Sequence, residues 1–364
     1  MPLAAVMIAP HKPIEVQNLP AAKVESGGIL LETIFSEVCG TDVHLHHGRL
    51  AGVPYPIIPG HVSVGRVIET GGTVTDVEGR TVNVGDTVTF LDVHETCQNC
   101  FYCLVAKAST RCPSRKVYGI TYSANDGLLG GWCQHIYLKP KVKTIRLPAS
   151  VLPERLIAAG CGLPTAVHAI ERAAITLGDV VAVQGSGPVG LNIAILALIS
   201  GAGAVIVIGD PPNRLSTAKA FGADETISVM ATTPAQRVDQ VKALSGGRGA
   251  DITIEATGVT HAVKEGLQMT RDGGRYVIVG QYTDAGEVAI NPHLEINKKH
   301  LEIRGCWGSD FSHFYRMVNV LARHGDRVGW EKMISREYTL HEMNAALEDV
   351  AKGSVVKAVV SPNK

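Results

Sequence analysis

The segment VVAVQGSGPVGLNIAI, residues 180–195, decides the fold class of this 364-residue chain. Its first residues predict a buried strand and its last residues predict an apolar helix. The turn between them has GxGxxG spacing, in which one glycine makes the turn, one lets backbone approach a pyrophosphate, and one allows close helix packing. The candidate dinucleotide-binding residues of this loop are Gly185, Gly187, Pro188, Val189 and Gly190.

The pattern on either side of this loop predicts how the chain is organised. Residues 161–300 alternate short apolar strands with helices, which is typical of a doubly wound parallel sheet of the Rossmann type. Residues 1–160 contain short β-branched runs between glycine turns and are expected to be β-rich. We expect residues 301–364 to return to this β-rich domain.

Composition restricts the classes of partner. Lys plus Arg and Asp plus Glu both number 34, so the formal net charge is zero. Such a balance gives no electrostatic reason to expect nucleic acid or an anionic membrane. The longest apolar run is too short to span a bilayer, and the N-terminus has no basic leader. We therefore expect a cytoplasmic protein whose cysteines stay reduced.

Four of the eight cysteines lie in one loop, CQNCFYCLVAKASTRC, residues 97–112. Two gaps of two residues bring three sulfurs together, and a fourth can complete a tetrahedron. Such a closed set favours structural Zn²⁺, with an iron–sulfur cluster as the competing interpretation. A nucleic-acid-binding zinc ribbon is also conceivable, but basic neighbours are few. The predicted ligands are Cys97, Cys100, Cys103 and Cys112.

The choice between NAD and NADP depends on the end of the next predicted strand, VIVIGDPPNRL. Asp210 is the acid that could bind the adenosine ribose and repel a 2′-phosphate. Gly209, however, stands where this acid usually occurs, and Arg214 could contact either a ribose hydroxyl or a phosphate. The sequence favours NAD, with NADP as the alternative.

Further motifs are distributed along nearly the whole chain. They are CGTD at 39–42, GH at 60–61, the four-cysteine loop, CGLPT at 161–165, the GxGxxG loop, EATG at 255–258 and KAVV at 357–360. The chain resembles the zinc-dependent alcohol dehydrogenases of the medium-chain dehydrogenase/reductase family. The resemblance implies a GroES-like catalytic domain over residues 1–160 with a zinc lobe at 95–115, a Rossmann domain over 161–300, and a homodimer or homotetramer.

The resemblance also implies a chemistry. It implies two Zn²⁺ per chain and oxidation of an alcohol, with a secondary alcohol or polyol favoured, through a zinc-bound alkoxide and hydride transfer to the nicotinamide, or the reverse reduction. By this resemblance Cys39, His61 and Cys161 hold the catalytic zinc, Asp42 orients the histidine, and Thr41 and His44 carry the proton. Thr165 matches a residue near the nicotinamide, and Lys357 matches a basic position near the pyrophosphate.

Two departures from the family pattern and several alternatives remain. Val62 stands where the family usually has glutamate, and the gap between Cys103 and Cys112 is one residue longer than usual. Asp42 could be a helix cap only, and His46 or His47 could replace His44. The rival functions are a zinc-independent quinone or enone reductase of the same superfamily and a non-enzymatic dinucleotide-binding protein.

Overall fold

A computed structural model describes all residues, 1–364, and divides them into two compact units. The first unit combines Met1–Gly160 with Asp310–Lys364, and the second comprises Cys161–Ser309. The chain therefore leaves the first unit once and returns to it once.

Seventeen strands and ten α-helices make up these units. The strands are β1 Leu3–Met7, β2 Ile14–Asn18, β3 Ile29–Val38, β4 Ser63–Thr70, β5 Thr87–Phe90, β6 Val93–Glu95, β7 Lys116–Val117, β8 His135–Leu138, β9 Thr144–Arg146, β10 Val180–Gln184, β11 Ala204–Gly209, β12 Glu225–Ser228, β13 Ala250–Glu255, β14 Thr270–Ile278, β15 Glu302–Gly305, β16 Ile334–Tyr338 and β17 Lys357–Val360. The helices are α1 Gly40–His46, α2 Phe101–Leu104, α3 Pro153–Ala159, α4 Gly162–Ala173, α5 Pro188–Ile199, α6 Pro212–Ala220, α7 Pro234–Leu244, α8 Thr260–Met269, α9 Phe311–Val328 and α10 Met343–Lys352.

The first unit is built on a seven-stranded sheet with β3 near its centre. The strand order is β16-β17-β3-β4-β5-β9, and β8 also pairs with β3. Strand β3 is ten residues long and buried along most of its length. Because its last residues pair with β4 and β17, the C-terminal end of β3 is held on both sides, and Cys39 follows directly.

The second unit contains a parallel six-stranded sheet in the order β12-β11-β10-β13-β14-β15. Numbered within this unit, the order is 3-2-1-4-5-6, which is the Rossmann arrangement. Ligands of such sheets bind at the carboxyl ends of the strands, where the loop after β10 lies. The predicted α/β fold class, a Rossmann domain together with a β-rich domain, is confirmed.

The place where the chain returns differs from the prediction at residue 301. Strand β15 pairs in parallel with β14, so residues up to Ser309 remain in the second unit. The KAVV motif at 357–360 forms β17, which pairs with β3. None of the helices combines the length and apolar character needed to cross a bilayer.

Candidate active site and metal centres

The four cysteines of the loop at 97–112 come together in the structure. Their sulfurs all lie within 4.8 Å of one another, and those of Cys97 and Cys112 are 3.6 Å apart. Four sulfurs about 2.3 Å from a tetrahedral zinc would be about 3.8 Å apart, so the donor set fits this metal. Hydrogen bonding, first of all from the Cys103 N–H, lowers the pKa of Cys100 to about 7, whereas desolvation raises the pKa of Cys103.

Two local turns accommodate the long gap between Cys103 and Cys112. Lys107 adopts a left-handed conformation with φ of 51°. A 3₁₀ turn over Ser109–Arg111 then leads directly into Cys112, whose sulfur accepts a hydrogen bond from the Cys97 N–H at 3.2 Å. The additional residue therefore does not prevent the sulfurs from meeting.

A second donor cluster consists of Cys39, His61 and Cys161. One ligand atom from each lies within 4.8 Å of the others, and Cys39 and His61 are buried. Cys161 is bonded to Gly160, the last residue of the first unit's N-terminal segment. Two sulfurs and one nitrogen fit zinc and leave one of four tetrahedral positions for a further ligand.

Asp42 connects this cluster to helix α1. Its Oδ2 accepts a hydrogen bond from the Cys39 N–H at 2.9 Å, which closes a capping box at the start of the helix. Burial raises the pKa of the Asp42 carboxyl, while the nearby His61 and the Cys39 N–H lower it. The helix-cap role is thus present in the structure, and orientation of His61 by Asp42 stays a prediction.

The two residues predicted to carry the proton lie on the same helix. Thr41 is the second residue of α1, and His44 follows three residues later, which is close to one helical turn. Burial lowers the pKa of His44, and the positive charges of Arg49 and His47 lower it further. A neutral imidazole at physiological pH is the form that can accept a proton.

His46 and His47 belong to a different environment. Their rings lie 6.2 and 5.7 Å from the ring of His11, and His46 Nε2 is 3.1 Å from the carbonyl oxygen of Lys12. Both also line a cavity of about 240 Å³ beside α10. These contacts distinguish His46 and His47 from His44, and the choice of His44 as the proton acceptor stays a prediction.

Glycine is needed at three positions of the loop after β10 for different structural reasons. Gly185 has φ of 119°, and a Cβ there would lie 2.7 Å from the carbonyl oxygen of Ala256. A Cβ on Gly190 would lie 1.9 Å from the carbonyl oxygen of Gly185, whereas one on Gly187 would meet nothing within 4 Å. The middle glycine therefore leaves open space at the start of α5, where backbone N–H groups favour a phosphate.

The end of β11 has no space for an acidic side chain at Gly209, where the ribose-binding acid usually occurs. A Cβ on Gly209 would lie 2.3 Å from Ser186 Oγ, so an acid cannot stand there without movement of Ser186. The carboxylate of Asp210 accepts hydrogen bonds from the Ser228 hydroxyl at 3.0 Å and the Met230 N–H at 2.7 Å. On α6, burial lowers the pKa of the Arg214 guanidinium.

Two further residues were assigned by resemblance. Thr165, in the first turn of α4, donates its hydroxyl to the carbonyl oxygen of Cys161 at 2.8 Å. The side chain of Lys357 is only 1% exposed, and its Nζ lies 2.5 Å from Oε1 of Glu37. Because its charge is already paired within the first unit, a contact of Lys357 with the cofactor phosphate stays a prediction.

Comparison with known proteins agrees with this geometry. Residues 25–149 match the alcohol dehydrogenase GroES-like domain, and residues 188–323 match the zinc-binding dehydrogenase family. A 5-exo-hydroxycamphor dehydrogenase of Pseudomonas putida is 34% identical over 359 residues, covering 98% of each chain. The chain belongs to the zinc-dependent alcohol dehydrogenases of the medium-chain dehydrogenase/reductase family.

Solved structures show the same likeness. An alcohol dehydrogenase from Thermotoga maritima is 33% identical, with a TM-score of 0.94 over 99% of each chain. A zinc-binding dehydrogenase from Sinorhizobium meliloti, solved with NADP bound, is 26% identical, with a TM-score of 0.86 over 100% of each chain. This alcohol dehydrogenase is therefore an enzyme that acts on CH–OH groups with zinc and a nicotinamide cofactor.

Three residues of the site were not found from the sequence. Ser186 occupies a variable position of the GxGxxG motif, so nothing indicated that it excludes a side chain at Gly209. Gly160 has φ of 47° next to Cys161, which a sequence does not reveal. Glu37 offered one signal, since it is an acidic residue inside an otherwise buried strand.

Proposed function

We propose that this alcohol dehydrogenase oxidises a secondary alcohol to a ketone, or catalyses the reverse reduction, with NAD as cofactor and two zinc ions per chain. The convergence of Cys39, His61 and Cys161 carries the proposal. Zinc held by these residues would supply a Lewis acid for the substrate oxygen, and the nicotinamide would supply the hydride acceptor. The four cysteines of the loop would hold the second zinc without taking part in the reaction.

The chain's own residues would move the proton of the alcohol. Thr41 lies two residues after Cys39, and a hydroxyl can accept one proton while it donates another. His44 stands one turn further along α1 with a lowered pKa, so it can accept the proton and release it to solvent. Asp42 would keep Cys39 and the start of α1 in place through its hydrogen bond to the Cys39 N–H.

The cofactor would bind at the carboxyl end of the parallel sheet. The open space at Gly187 and the start of α5 suit the pyrophosphate, with Gly185, Pro188, Val189 and Gly190 shaping the loop. Asp210 would place a negative charge near the adenosine ribose and disfavour a 2′-phosphate. Thr165 would pack near the nicotinamide, and Arg214 would contact the ribose.

The secondary alcohol is the preferred substrate class in this proposal. The Pseudomonas relative is named for hydroxycamphor, in which the hydroxyl stands on a ring carbon. We also propose a cytoplasmic homodimer or homotetramer. Six of the eight cysteines belong to the two donor clusters, and cysteine thiols stay reduced in the cytoplasm.

A substrate panel tests this proposal. Primary, acyclic secondary, cyclic secondary and polyol substrates should be compared by nicotinamide absorbance with NAD and with NADP. We expect kcat/KM to be about tenfold or more higher for secondary than for primary alcohols of equal carbon number. We also expect it to be about tenfold or more higher with NAD, because Asp210 repels the additional phosphate.

Each rival would give a different pattern. Oxidation of NADPH by quinones without any alcohol oxidation would identify the zinc-independent reductase. Nucleotide binding without turnover of any substrate would identify a binding protein. A clear preference for NADP would show that Arg214 outweighs Asp210.

A further inference from the structure

Glu37 and Lys357 form a buried ion pair in the first unit. Both side chains are 1% exposed, and Lys357 Nζ lies 2.5 Å from Glu37 Oε1. A buried ion pair is weak evidence for stabilisation, because apolar residues of similar volume often serve as well. Its position in the fold therefore decides what it does.

The backbone of Glu37 joins the segments that carry two of the zinc donors. Glu37 precedes Cys39 by two residues in β3. Its N–H donates to the carbonyl oxygen of Val62 at 3.1 Å, and Val62 directly follows His61. Its own carbonyl oxygen accepts a hydrogen bond from Trp132 Nε1 at 2.9 Å.

The charged ends of the pair lie against the segment that carries the third donor. Gly160 directly precedes Cys161 and adopts φ of 47°. A Cβ at Gly160 would lie 2.2 Å from Lys357 Nζ and 2.3 Å from Glu37 Oε2. The pair is therefore close to all three donors. Glu37 is two residues from Cys39 and is hydrogen-bonded to the residue after His61, and both charged groups lie beside the residue before Cys161.

The residue after the zinc histidine strengthens this interpretation. Val62 is buried and apolar where the family usually has glutamate. Two buried carboxylates remain close to the donor segments: Asp42 caps α1, and Glu37 in β3 lies beside Gly160. Lys357 at the start of β17 neutralises Glu37, and β17 pairs with β3 at Ala358 and Val38.

We propose that the Glu37–Lys357 pair is a positioning device that sets the spacing of Cys39, His61 and Cys161 for zinc. The proposal rests on the proposed function of these three residues as the catalytic zinc site. Residues that support metal ligands in this way typically change metal affinity by about 10- to 100-fold when they are replaced.

The test measures the rate at which zinc leaves the folded protein for a chromogenic chelator. The zinc that is missing from Cys161→Ser identifies the catalytic phase. The double variant Glu37→Gln/Lys357→Met removes both charges without leaving either one buried alone. We expect its catalytic zinc to leave about tenfold faster or more, with the four-cysteine zinc unchanged.

A matched control lies in the second unit. Arg237 and Glu265 form a buried bidentate pair with distances of 2.8 Å and side chains 5% and 8% exposed. The double variant Arg237→Met/Glu265→Gln removes a buried pair whose other hydrogen bonds go to the carbonyl oxygens of Val229 and Thr232. We expect it to change thermal stability but neither zinc-release phase.

Three results would overturn the proposal. A catalytic release rate within twofold of wild type in the Glu37→Gln/Lys357→Met variant would show that the pair does not position the donors. Equal acceleration of both zinc phases would show general loosening of the fold. Wild-type protein without zinc at Cys39, His61 and Cys161 would overturn the proposed function together with this inference.

Discussion

The two donor clusters of this alcohol dehydrogenase are assembled in opposite ways. The cysteines of the loop lie within 16 consecutive residues, and short turns alone bring their sulfurs together. Cys39 and Cys161 are 122 positions apart in the sequence, and only the folded first unit brings Cys39 and His61 to the same place. The first cluster is a property of a chain segment, and the second is a property of the fold.

This difference has an energetic consequence. The loop has little structure besides the short α2 and one 3₁₀ turn, and it exposes Phe101 and Val105. Its conformation should therefore depend on the metal, as in small zinc domains. The second cluster is held by β3, by the capping box of α1 and by the Glu37–Lys357 pair, so the protein should keep its fold without that zinc.

The largest expected effects come from replacing one cysteine in each cluster. Cys161→Ser should lower kcat/KM by about 1000-fold or more, because zinc stabilises the developing charge by several kcal/mol. Its thermal unfolding midpoint should stay close to wild type. Cys103→Ser should instead lower the midpoint by many degrees, because metal binding and loop folding are coupled.

Metal analysis and thermal unfolding of the same samples check this prediction. Each variant should contain one zinc per chain, in contrast to two in wild type. Cooperative unfolding of Cys103→Ser at the wild-type temperature would show that the loop metal does not stabilise the fold. A large loss of stability in Cys161→Ser would show that the fold depends on the other zinc as well.

The two clusters are predictable from the sequence to different degrees. The loop ligands follow from cysteine spacing, because the relevant contacts are local. The ligand set of Cys39, His61 and Cys161 depended on resemblance, since no rule of spacing links positions so far apart. Residues that act through packing, such as Gly160, Glu37 and Ser186, escaped prediction because their partners come from distant strands and loops. The return of the chain was placed too early because β15 gives no local signal for the sheet that it joins.

A smaller effect is expected for Thr41 and His44, the residues that would carry the proton away from the Cys39, His61 and Cys161 cluster. Thr41→Val should lower kcat by about 100-fold or more, because a valine can neither donate nor accept the proton. His44→Gln should lower it by about 10- to 100-fold, since water can partly replace the imidazole. Both variants should retain zinc and cofactor binding.

The pH profile distinguishes a relay from a structural role. Burial and neighbouring charges lower the pKa of His44. The imidazole therefore stays neutral, and able to accept a proton, as the pH falls towards the usual pKa of histidine. Hydroxide and buffer bases become scarce over the same range, so the loss in His44→Gln should be greatest at low pH. Added imidazole should restore part of the rate. Full activity of His44→Gln from about pH 6 to 9 would exclude His44 as the relay.

The smallest expected effects concern the dinucleotide loop. In this loop Gly190 is required for packing, and Gly187 is required for cofactor binding. Gly190→Ala places a Cβ 1.9 Å from the Gly185 carbonyl oxygen, so the backbone must move and stability should fall by about 1–3 kcal/mol. Gly187→Ala meets no atom within 4 Å and has φ of −76°, which alanine adopts freely, so stability should change by less than about 0.5 kcal/mol. Its methyl group would nevertheless occupy the space that the pyrophosphate needs, and the Kd for NAD should rise by about five- to tenfold. Titration of cofactor fluorescence together with chemical denaturation separates the two variants. Because Gly187→Ala should fold normally, its NAD affinity reports on the binding site alone. An unchanged affinity would therefore show that the pyrophosphate binds elsewhere.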